Sequence, residues 1–478
     1  LAAVNRAGNA LRGLGVEPEQ RVAMLLPDGL AWVATFFGAL RIGAVAVPLN
    51  TRLRVDDYVA ILQDSRAKVL VTDATLGAQL AARRADLPHL RTIVTTDSAA
   101  GFPCLDALLA GAAPGLEPEA VSPDDMAFWL YTSGTTGAPK GAVHLHRDLL
   151  ASHHYGVEVL GMTADDRVLA TSRLFFAYAL GNALLIPLRA GASVFLHPAW
   201  PDPALVTDVM ARFRPTVLFS VPTFYARMLH AGLPPETFRS LRFGVSAGER
   251  LPGDLYLAYR DRFGVELLDG MGATETIFMV LSNRAGRSHP GSSGTPVPGT
   301  EVRLLDADGR EVAPGQEGVL HVKTPSASPF YWNRVERSRR TFVGEWFRTG
   351  DVYTRDADGF YYHCGREDDF FKVAGQWVAP AEVEAVLLSH PEVADAGVVG
   401  TEEAGGLVKP FAFVVPRDPG ATSARLVAEL AGLTEKKLPS HQRPRRIFIV
   451  PELPRTATGK LQRFRLRAEA DARRPPAS

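Results

Sequence analysis

A run of glycines and hydroxyl side chains that ends in a lysine, TSGTTGAPK at residues 132–140, is the part of the sequence best suited to binding an anion. Gly134 and Gly137 let the backbone approach an anion closely, and Lys140 adds a positive charge. Hydroxyl donors are supplied by Thr132, Ser133, Thr135 and Thr136. A surface turn of similar composition is the alternative, but the composition and the closing lysine together favour a phosphate-binding loop.

The spacing of this loop differs from that of the P-loop found in kinases and ATPases. A P-loop has two glycines separated by four residues, followed directly by lysine and by serine or threonine. Here Lys140 follows Gly137 by three residues, and Gly141 stands where a magnesium-binding hydroxyl would be needed. Lysine is also scarce, because it makes up only eight of the 52 basic residues. Lys140 and Lys460 directly adjoin glycines, and Lys372 lies three residues before Gly375, which makes these three lysines candidates for sites that need a compact ammonium group.

Three further charged residues have a type and setting that suit a nucleotide. Glu275 follows two small residues, so its carboxylate can reach a magnesium ion bound to phosphate. Asp351 can accept both hydroxyls of a ribose, and Arg366 can pair with ribose or phosphate oxygens. Taken singly, each has a structural alternative: a charge at a helix N-terminus, a turn aspartate and a surface ion pair. Residue by residue, these structural alternatives are slightly favoured.

The elements that must position these residues follow from the hydrophobic pattern. Apolar runs without alternation, separated by helical segments, predict an α/β architecture with buried and mostly parallel sheets. These runs lie within residues 21–50 and at 68–72, 91–95, 166–170, 193–196 and 216–220. After about residue 290 the pattern alternates around Asp-Gly and Pro-Gly, which predicts antiparallel hairpins. From about residue 366 the sequence predicts a small α+β unit.

Length and composition limit the possible functions. A chain of 478 residues exceeds one hydrophobic core, so two or more domains are expected. The 52 basic and 52 acidic residues cancel, which argues against a nucleic-acid partner. No run of 18 apolar residues occurs, so we expect no membrane segment and a cytoplasmic protein. The chain begins at Leu1, inside a helical pattern, and we expect upstream residues to be missing.

Six motifs, in order along the chain, resemble those of the adenylate-forming superfamily, which includes acyl- and aryl-CoA ligases, luciferases and the adenylation domains of peptide synthetases. The motifs are TSGTTGAPKG at 132–141, SAGE at 246–249, DGMGATE at 269–275, WFRTGD at 346–351, GREDDFFKVAGQWVAPAEVE at 365–384 and PRTATGK at 454–460. The resemblance implies a large N-terminal domain, residues 1–366, with mixed and parallel sheets and a β-rich part. It also implies a small mobile α+β domain, residues 367–478, with a hinge near Asp368.

The resemblance implies roles for individual residues with the substrates ATP and coenzyme A and the cofactor Mg²⁺. Catalytic roles are implied for Thr274, Glu275 and Lys460, and Glu275 is also the implied metal ligand. ATP binding is implied for Thr132, Ser133, Gly134, Thr135, Thr136, Gly137, Lys140, Ala247, Gly248, Glu249, Asp269, Gly270, Asp351 and Arg366. Contacts with coenzyme A are implied for Lys372 and Gly375.

Lys460 is the residue on which the expected mechanism depends most. The resemblance implies that it enters the active site from the small domain and contacts both the substrate carboxylate and the α-phosphate. A carboxylate that attacks a phosphate must overcome the repulsion of two anions, and a cation between them stabilises the transition state. The alternative is a solvated lysine near a basic C-terminus.

The segment LFFAYALGNAL at 174–184 resembles benzoate-CoA ligases and related hydroxybenzoate ligases. Its aromatic faces and small residues suit a flat ring. The implied pocket residues are Phe176, Ala177, Tyr178, Met271, Gly272 and Phe278. Benzoate-specific relatives commonly carry a histidine where this chain has Phe278, which leaves the ring substituent open. A buried helix with aromatic core residues is the structural alternative.

The expected function is an AMP-forming aromatic acid–CoA ligase that acts as a monomer or a homodimer. The alternatives are a stand-alone aryl-adenylating enzyme that loads a carrier protein and a non-catalytic nucleotide-binding protein of the same fold. A fatty-acid ligase is disfavoured, because Phe176 and Tyr178 would crowd a long chain. The histidine pairs His144–His146 and His153–His154 have no acidic or cysteine partner at metal-ligand spacing, so we interpret them as structural or pocket-lining.

Overall fold

The computed structural model describes residues 1–133, 139–374, 376–402, 407–418, 423–455 and 461–473. The chain forms two compact units. The first contains Leu1–Val302 and His321–Arg348, and the second contains Arg303–Leu320 and Thr349–Ser478. The domain division at residue 366, with a hinge at Asp368, remains a prediction.

A six-stranded sheet in the first unit carries the candidate phosphate loop. Its strands, in spatial order, are Thr92–Thr95, Val69–Thr72, Arg21–Met24, Val45–Pro48, Met126–Ser133 and Pro139–Leu145. All neighbouring strands are parallel except the last two, which form an antiparallel pair. The strands Val45–Pro48 and Val69–Thr72 are buried along their whole length, which explains why their sequences are apolar without alternation.

A seven-stranded sheet in the same unit carries the candidate adenine and ring-binding residues. Its strands, in spatial order, are Thr295–Pro296, Met279–Ser282, Leu267–Gly272, Phe243–Ser246, Val217–Ser220, Arg167–Ala170 and Ser193–Phe195. The five strands from Leu267–Gly272 onward are parallel, and the other two are antiparallel to their neighbours. The predicted strands at 166–170, 193–196 and 216–220 are therefore confirmed.

The helices of the first unit cover both sheets, and one hydrophobic cluster joins the sheets. Val22 and Phe128 of the first sheet and Phe219 and Val245 of the second sheet belong to the same buried cluster. The α-helices of this unit are Ala2–Gly13, Leu30–Arg41, Val55–Ser65, Ala74–Ala81, Leu105–Gly111, Ala177–Leu180, Ile186–Ala190, Pro203–Arg212, Pro222–His230, Gly253–Phe263 and Val335–Thr341. Two π-helical segments, His154–Val159 and Gly181–Leu185, lie among them.

The chain passes between the two units inside three strands, Glu301–Leu305, Gly318–Lys323 and Trp346–Arg355. These three strands belong to one sheet, which also contains the strands Phe342–Val343 and Tyr361–Arg366. Both of these added strands run antiparallel to Trp346–Arg355. This β-rich region agrees with the change of pattern predicted after residue 290.

The second unit also contains a small α+β core near the C-terminus, as the sequence predicted. A hairpin pairs Phe371–Val373 with Gln376–Val378, and a three-stranded sheet contains Val393–Glu402, Val408–Pro416 and Arg446–Ile449. The helices Pro380–Leu388, Ser423–Lys437 and Arg463–Ala472 complete this core. Among the described residues of both units, no helix has the length and apolar character needed to cross a membrane.

Candidate functional site

The candidate phosphate loop lies between the two antiparallel strands at the edge of the six-stranded sheet. Thr132 pairs with Lys140 and Ser133 pairs with Pro139, so these residues form the base of a hairpin. Gly134, Thr135, Thr136 and Gly137 lie outside the described residues. The pairing places the Lys140 backbone directly opposite Thr132, and it fixes the point from which the Lys140 side chain extends.

Lys140 meets Glu275 and Tyr331 in a buried cluster. The Nζ atom of Lys140 is 3.1 Å from Oε1 of Glu275 and 2.7 Å from the hydroxyl oxygen of Tyr331. The Tyr331 hydroxyl donates to Glu275 Oε1 at 2.5 Å, and Lys140 Nζ lies 3.9 Å from the centroid of the Tyr331 ring. We call these three residues the Lys140–Glu275–Tyr331 cluster. Its lysine and glutamate side chains are only 12% and 11% exposed, so their charges interact with little screening by water.

The cluster keeps the Glu275 carboxylate ionised. Burial alone would raise the pKa of Glu275, but the charge of Lys140 and the hydrogen bond from Tyr331 outweigh it and lower the pKa below its usual value. An ionised carboxylate is a hard oxygen donor of the kind that Mg²⁺ prefers. The ionised Glu275 carboxylate is therefore suited to bind Mg²⁺, as predicted for this residue.

The predicted adenine-side residues lie at the ends of two parallel strands of the seven-stranded sheet. Ala247 follows the strand Phe243–Ser246, and Asp269 lies opposite Ser246 in the next strand. Gly248 has a φ of +88°, which a residue with a side chain rarely adopts. Glu249 accepts hydrogen bonds from the backbone and hydroxyl of Thr223. Burial raises the pKa of Asp269 well above its usual value, which favours the neutral acid.

The candidate ring-binding residues come from the segment 176–178, from the end of the strand Leu267–Gly272 and from Phe278, which directly precedes the strand Met279–Ser282. The Tyr178 hydroxyl lies 3.0 Å from the Ser220 carbonyl and 2.9 Å from the Val245 carbonyl. Phe278 is buried against the helical segment Gly181–Leu185, where a Cβ atom on Gly181 would lie 3.2 Å from Phe278 Cδ1. Gly181 therefore allows Phe278 to approach the helix that begins at Ala177.

Four of the six candidate ring-binding residues have side chains that are wholly apolar. Ala177, Met271 and Phe278 are buried, and Phe176 is half-buried against Phe175, with ring centroids 4.5 Å apart. Gly272 ends its strand and has no side chain. Tyr178 supplies a polar group, but its hydroxyl is directed at backbone carbonyls. This part of the site is suited to apolar contact with a flat ring.

The predicted ribose residues lie together in the second unit. Asp351 and Arg366 are paired across neighbouring strands, and Arg366 Nη1 donates to Asp351 Oδ2 at 3.1 Å. The same guanidinium nitrogen donates to the Thr349 carbonyl at 3.0 Å, and His363 Nε2 lies 3.4 Å from Asp351 Oδ1. Arg366 thereby orients the Asp351 carboxylate.

Two further predicted residues of the second unit, Lys372 and Asp368, lie on or near the hairpin at 371–378. Lys372 is exposed in the strand Phe371–Val373, and Asp368 is exposed in the turn Glu367–Asp369. Gly375 and Lys460 lie outside the described residues. The helix that begins soon after Lys460, Arg463–Ala472, is anchored by Arg463, which contacts Glu384 at 2.6 Å and Asp369 at 3.2 Å.

Three of the four histidines in the two pairs, His144, His153 and His154, lie beside acidic side chains. His144 is fully buried between Asp148 and the Thr274 carbonyl, and His153 and His154 both lie near the Glu158 carboxylate. Tyr331 was not identified as a site residue from the sequence. Its only sequence signal is the aromatic run Phe330-Tyr331-Trp332, near the end of the first unit, and that pattern is common in hydrophobic cores.

Comparison with known families shows the class of protein to which this chain belongs. The AMP-binding enzyme family model matches residues 1–332, and the model of the AMP-binding enzyme C-terminal domain matches residues 382–460. The chain belongs to the AMP-binding enzyme family. The predicted adenylate-forming class and fold are thereby confirmed.

Within this family, the chain is similar to CoA ligases that are named for aromatic acids. The chain is 43% identical to the benzoate–CoA ligase of Thauera aromatica over 469 residues, which is 97% of this chain and 89% of that protein. It is 41% identical to the 3-hydroxybenzoate–CoA ligase of Aromatoleum sp. (strain CIB) over 471 residues, covering 98% and 90% of the two chains. The crystal structure of the anthranilate CoA ligase AuaEII in complex with anthranoyl-AMP matches with a TM-score of 0.92 and 40% identity, covering 98% of this chain and 91% of that one.

Proposed function

We propose that the protein is an AMP-forming aromatic acid–CoA ligase. An aromatic carboxylate attacks the α-phosphorus of ATP, pyrophosphate leaves, and an aroyl-adenylate forms. The thiol of coenzyme A then attacks the carbonyl carbon of this mixed anhydride, and AMP leaves. The observation that supports this proposal most is the 41–43% identity, over nearly the whole chain, to ligases that act on benzoate and 3-hydroxybenzoate.

The Lys140–Glu275–Tyr331 cluster supports a role on the phosphate side of the first half-reaction. Lys140 would contact phosphate oxygens together with Thr132 and the hairpin loop, and Thr274 would add a hydroxyl beside Glu275. Glu275 would hold Mg²⁺, which neutralises part of the phosphate charge when it is bound. In the structure Lys140 and Glu275 neutralise each other, so neither charge is left buried without a partner before the nucleotide arrives.

The other residue roles extend this proposal. Ala247, Gly248, Glu249, Asp269 and Gly270 would contact the nucleotide base, and Asp351, oriented by Arg366, would accept the ribose hydroxyls. Lys460 would contact the carboxylate and the α-phosphate in the first half-reaction. A rotation about Asp368 would then withdraw Lys460, and Lys372 and Gly375 would approach coenzyme A. Such alternation lets one site serve two reactions with different needs.

The side chains around the ring favour an aromatic acid without polar substituents. Phe176, Ala177, Met271 and Phe278 offer no hydrogen-bonding side-chain group, and the Tyr178 hydroxyl is directed at two backbone carbonyls. A ring hydroxyl would leave water for side chains that offer it few hydrogen-bond partners, and a buried hydroxyl without a compensating hydrogen bond costs about 1–3 kcal/mol. We therefore expect benzoate to have a higher kcat/KM than 3- or 4-hydroxybenzoate, by about tenfold or more.

A panel of acids tests both the function and the ring preference. The unaltered protein is supplied with ATP, Mg²⁺ and coenzyme A and with benzoate, halobenzoates, hydroxybenzoates, aminobenzoates or a long-chain fatty acid. Release of AMP and formation of the thioester are then measured. We expect aroyl-CoA to form with free coenzyme A, which separates a CoA ligase from an enzyme that loads a carrier protein. A clear preference for hydroxybenzoates would contradict the ring preference, and activity with fatty acids alone would contradict the function.

A further inference from the structure

Three successive backbone carbonyls around Glu275 accept hydrogen bonds from two other parts of the first unit, His144 and the segment 326–328. The Thr274 carbonyl accepts from His144 Nε2 at 2.9 Å, and the Glu275 carbonyl accepts from the Ser328 amide at 2.7 Å. The Thr276 carbonyl accepts from the Ser326 hydroxyl at 2.7 Å. The backbone that carries the candidate metal ligand is therefore fixed before any nucleotide binds.

A strained residue follows this segment directly. Ile277 has a φ of +60°, and a β-branched side chain makes that conformation unfavourable. Ile277 is also buried, so its side chain is held by packing. Strain of this kind persists only where the surrounding contacts determine the backbone, and it is concentrated at functional sites. The donors to the three carbonyls are contacts of that type.

His144 differs from the other two donors because it is itself oriented by a second residue. Its Nδ1 lies 2.9 Å from Asp148 Oδ2, and both side chains are completely buried. Asp148 Oδ2 also accepts the backbone amide of Leu145 at 3.0 Å. The imidazole ring stacks on Phe128, with ring centroids 5.0 Å apart and planes inclined by 14°. The position and the plane of the ring are therefore fixed on every side by these contacts.

The partner of Nε2 determines which way this hydrogen bond runs. A backbone carbonyl can only accept, so Nε2 must carry a hydrogen and donate it to Thr274. This holds whichever charge the His144–Asp148 pair carries. An aspartate that orients a histidine, which in turn orients a site residue, is the arrangement by which outer contacts commonly tune metal sites.

We propose that His144, oriented by Asp148, is a positioning residue that fixes the Thr274–Glu275 peptide for adenylate formation. This inference rests on the proposed function, in which Thr274 and Glu275 act on the phosphate side of ATP. His144 touches no substrate in this account. It sets the plane of the peptide from which the Glu275 carboxylate reaches Lys140 and Tyr331.

Two substitutions at residue 144 separate the two hydrogen bonds. In His144→Gln the side-chain amide nitrogen lies near the position of Nε2 and can still donate to the Thr274 carbonyl. In His144→Asn it lies near the position of Nδ1 and can still donate to Asp148, but it cannot reach Thr274. We expect His144→Asn to lower the adenylation rate and the apparent affinity for Mg²⁺ by about tenfold to a hundredfold, and His144→Gln to restore most of both.

The readouts are chosen so that a general loss of folding does not imitate the effect. Adenylation is measured by exchange of labelled pyrophosphate into ATP at varied Mg²⁺ concentrations, and thioester formation is measured with supplied benzoyl-adenylate. We expect the second rate to change by less than about threefold in both variants. His154 forms a matched control, because it also pairs with an acid four residues later, Glu158, at 3.0 Å but on the surface. His154→Asn and His154→Gln should match the unaltered protein.

The outcomes separate this inference from the proposed function. Equal adenylation rates in His144→Asn and His144→Gln would overturn the inference alone. An unaltered protein that activates no aromatic acid would overturn the proposed function and the inference with it. If neither variant folds, nitrogen-15 histidine spectra of the unaltered protein decide. A protonated Nε2 whose resonance shifts when MgATP is added supports the inference, and an unprotonated or unresponsive Nε2 overturns it.

Discussion

At the scale of single residues, the environment of Glu275 determines what the phosphate side of the site can do. A buried carboxylate without a partner would take up a proton, whereas the Lys140 charge and the Tyr331 hydroxyl keep Glu275 ionised. Lys140 and Glu275 are also the residues proposed to meet phosphate and Mg²⁺. The arrival of MgATP would exchange one set of charge pairs for another, so the proposed site would bind the nucleotide without leaving an isolated buried charge.

Tyr331→Phe tests the bridge between these two charges. The substitution keeps the ring beside Lys140 but removes the hydroxyl that accepts from Lys140 and donates to Glu275. A hydrogen bond to a charged group contributes about 1.5–3 kcal/mol, so we expect kcat/KM for MgATP to fall by about tenfold to a hundredfold. Steady-state kinetics with varied MgATP measure the change. Tyr362→Phe, which removes a hydroxyl bound to Asp356, is the control, and an unchanged kcat/KM in Tyr331→Phe would refute the bridge.

The site residues that were predicted from the sequence lie in recognisable local motifs, whereas the contacts of Tyr331 and His144 could not be predicted. Lys140 and Glu275 lie in motifs whose glycines and hydroxyls are recognisable over a few positions. Tyr331 meets Glu275 across 56 positions of the chain, and His144 meets Thr274 across 130. Nothing local distinguishes either residue from a core aromatic or a structural histidine, and only the fold brings them to the site. The sequence indicates a structural or pocket-lining role for His144 but does not indicate its contact with the Thr274 carbonyl.

At the scale of elements, strand ends bring the site residues together. The strands at 69–72, 92–95 and 217–220 were predictable because both faces are buried and the sequence is continuously apolar. The π-helical segment Gly181–Leu185 was not predictable, since its residues would serve an ordinary helix equally well. This segment contributes to the candidate ring-binding site because Gly181, which has no side chain, lets the Phe278 ring pack closely against it.

A buried ion pair anchors the start of the ring-binding segment. Asp28 accepts the backbone amide of Leu174 at 3.1 Å and lies 3.5 Å from the guanidinium of Arg173. Arg173 in turn donates to three successive carbonyls, those of His197, Pro198 and Ala199, each at 2.8 Å. The Asp28–Arg173 pair therefore connects residues 197–199, which follow the strand Ser193–Phe195, to Leu174, which lies two positions before Phe176.

Asp28→Asn should reveal this pair through its pH dependence. Burial raises the pKa of Asp28 to about 6, although the charge of Arg173 opposes the rise. A raised pKa means that the folded protein binds the proton more tightly, so this contribution to the free energy of unfolding is present below about pH 4 and is lost as the pH rises through 6. The change from 3.8 to about 6 corresponds to about 3 kcal/mol. We expect the stability of the unaltered protein relative to Asp28→Asn to fall by about that amount between pH 4 and pH 7.

Urea unfolding at several pH values measures this difference, with Asp57→Asn as a control of opposite sign. The hydrogen bond from Arg54 lowers the pKa of Asp57, so the contribution of Asp57 is present at neutral pH and is lost as the pH falls. If the difference in the free energy of unfolding between the unaltered protein and Asp28→Asn does not vary with pH, the burial of Asp28 does not raise its pKa as described.

At the scale of the whole molecule, two units carry different parts of the proposed chemistry. The candidate phosphate hairpin, the acidic motif and the candidate ring-binding residues belong to the first unit, whereas Asp351, Arg366 and the predicted hinge residue Asp368 belong to the second. The large changes of sequence pattern after residue 290 and near residue 366 were sufficient to predict a β-rich part and a small α+β part. The chain passes between the units inside strands, and this could not be predicted from the sequence because no stretch of linker-like composition marks the crossings.

The central claim is that this molecule joins an aromatic carboxylate to AMP before any thiol is involved. The most direct measurement is the exchange of labelled pyrophosphate into ATP by the unaltered protein, with Mg²⁺ and without coenzyme A. We expect label to enter ATP when benzoate is present and not when the acid is omitted. Exchange that requires a fatty acid, or that no aromatic acid supports, would contradict the claim.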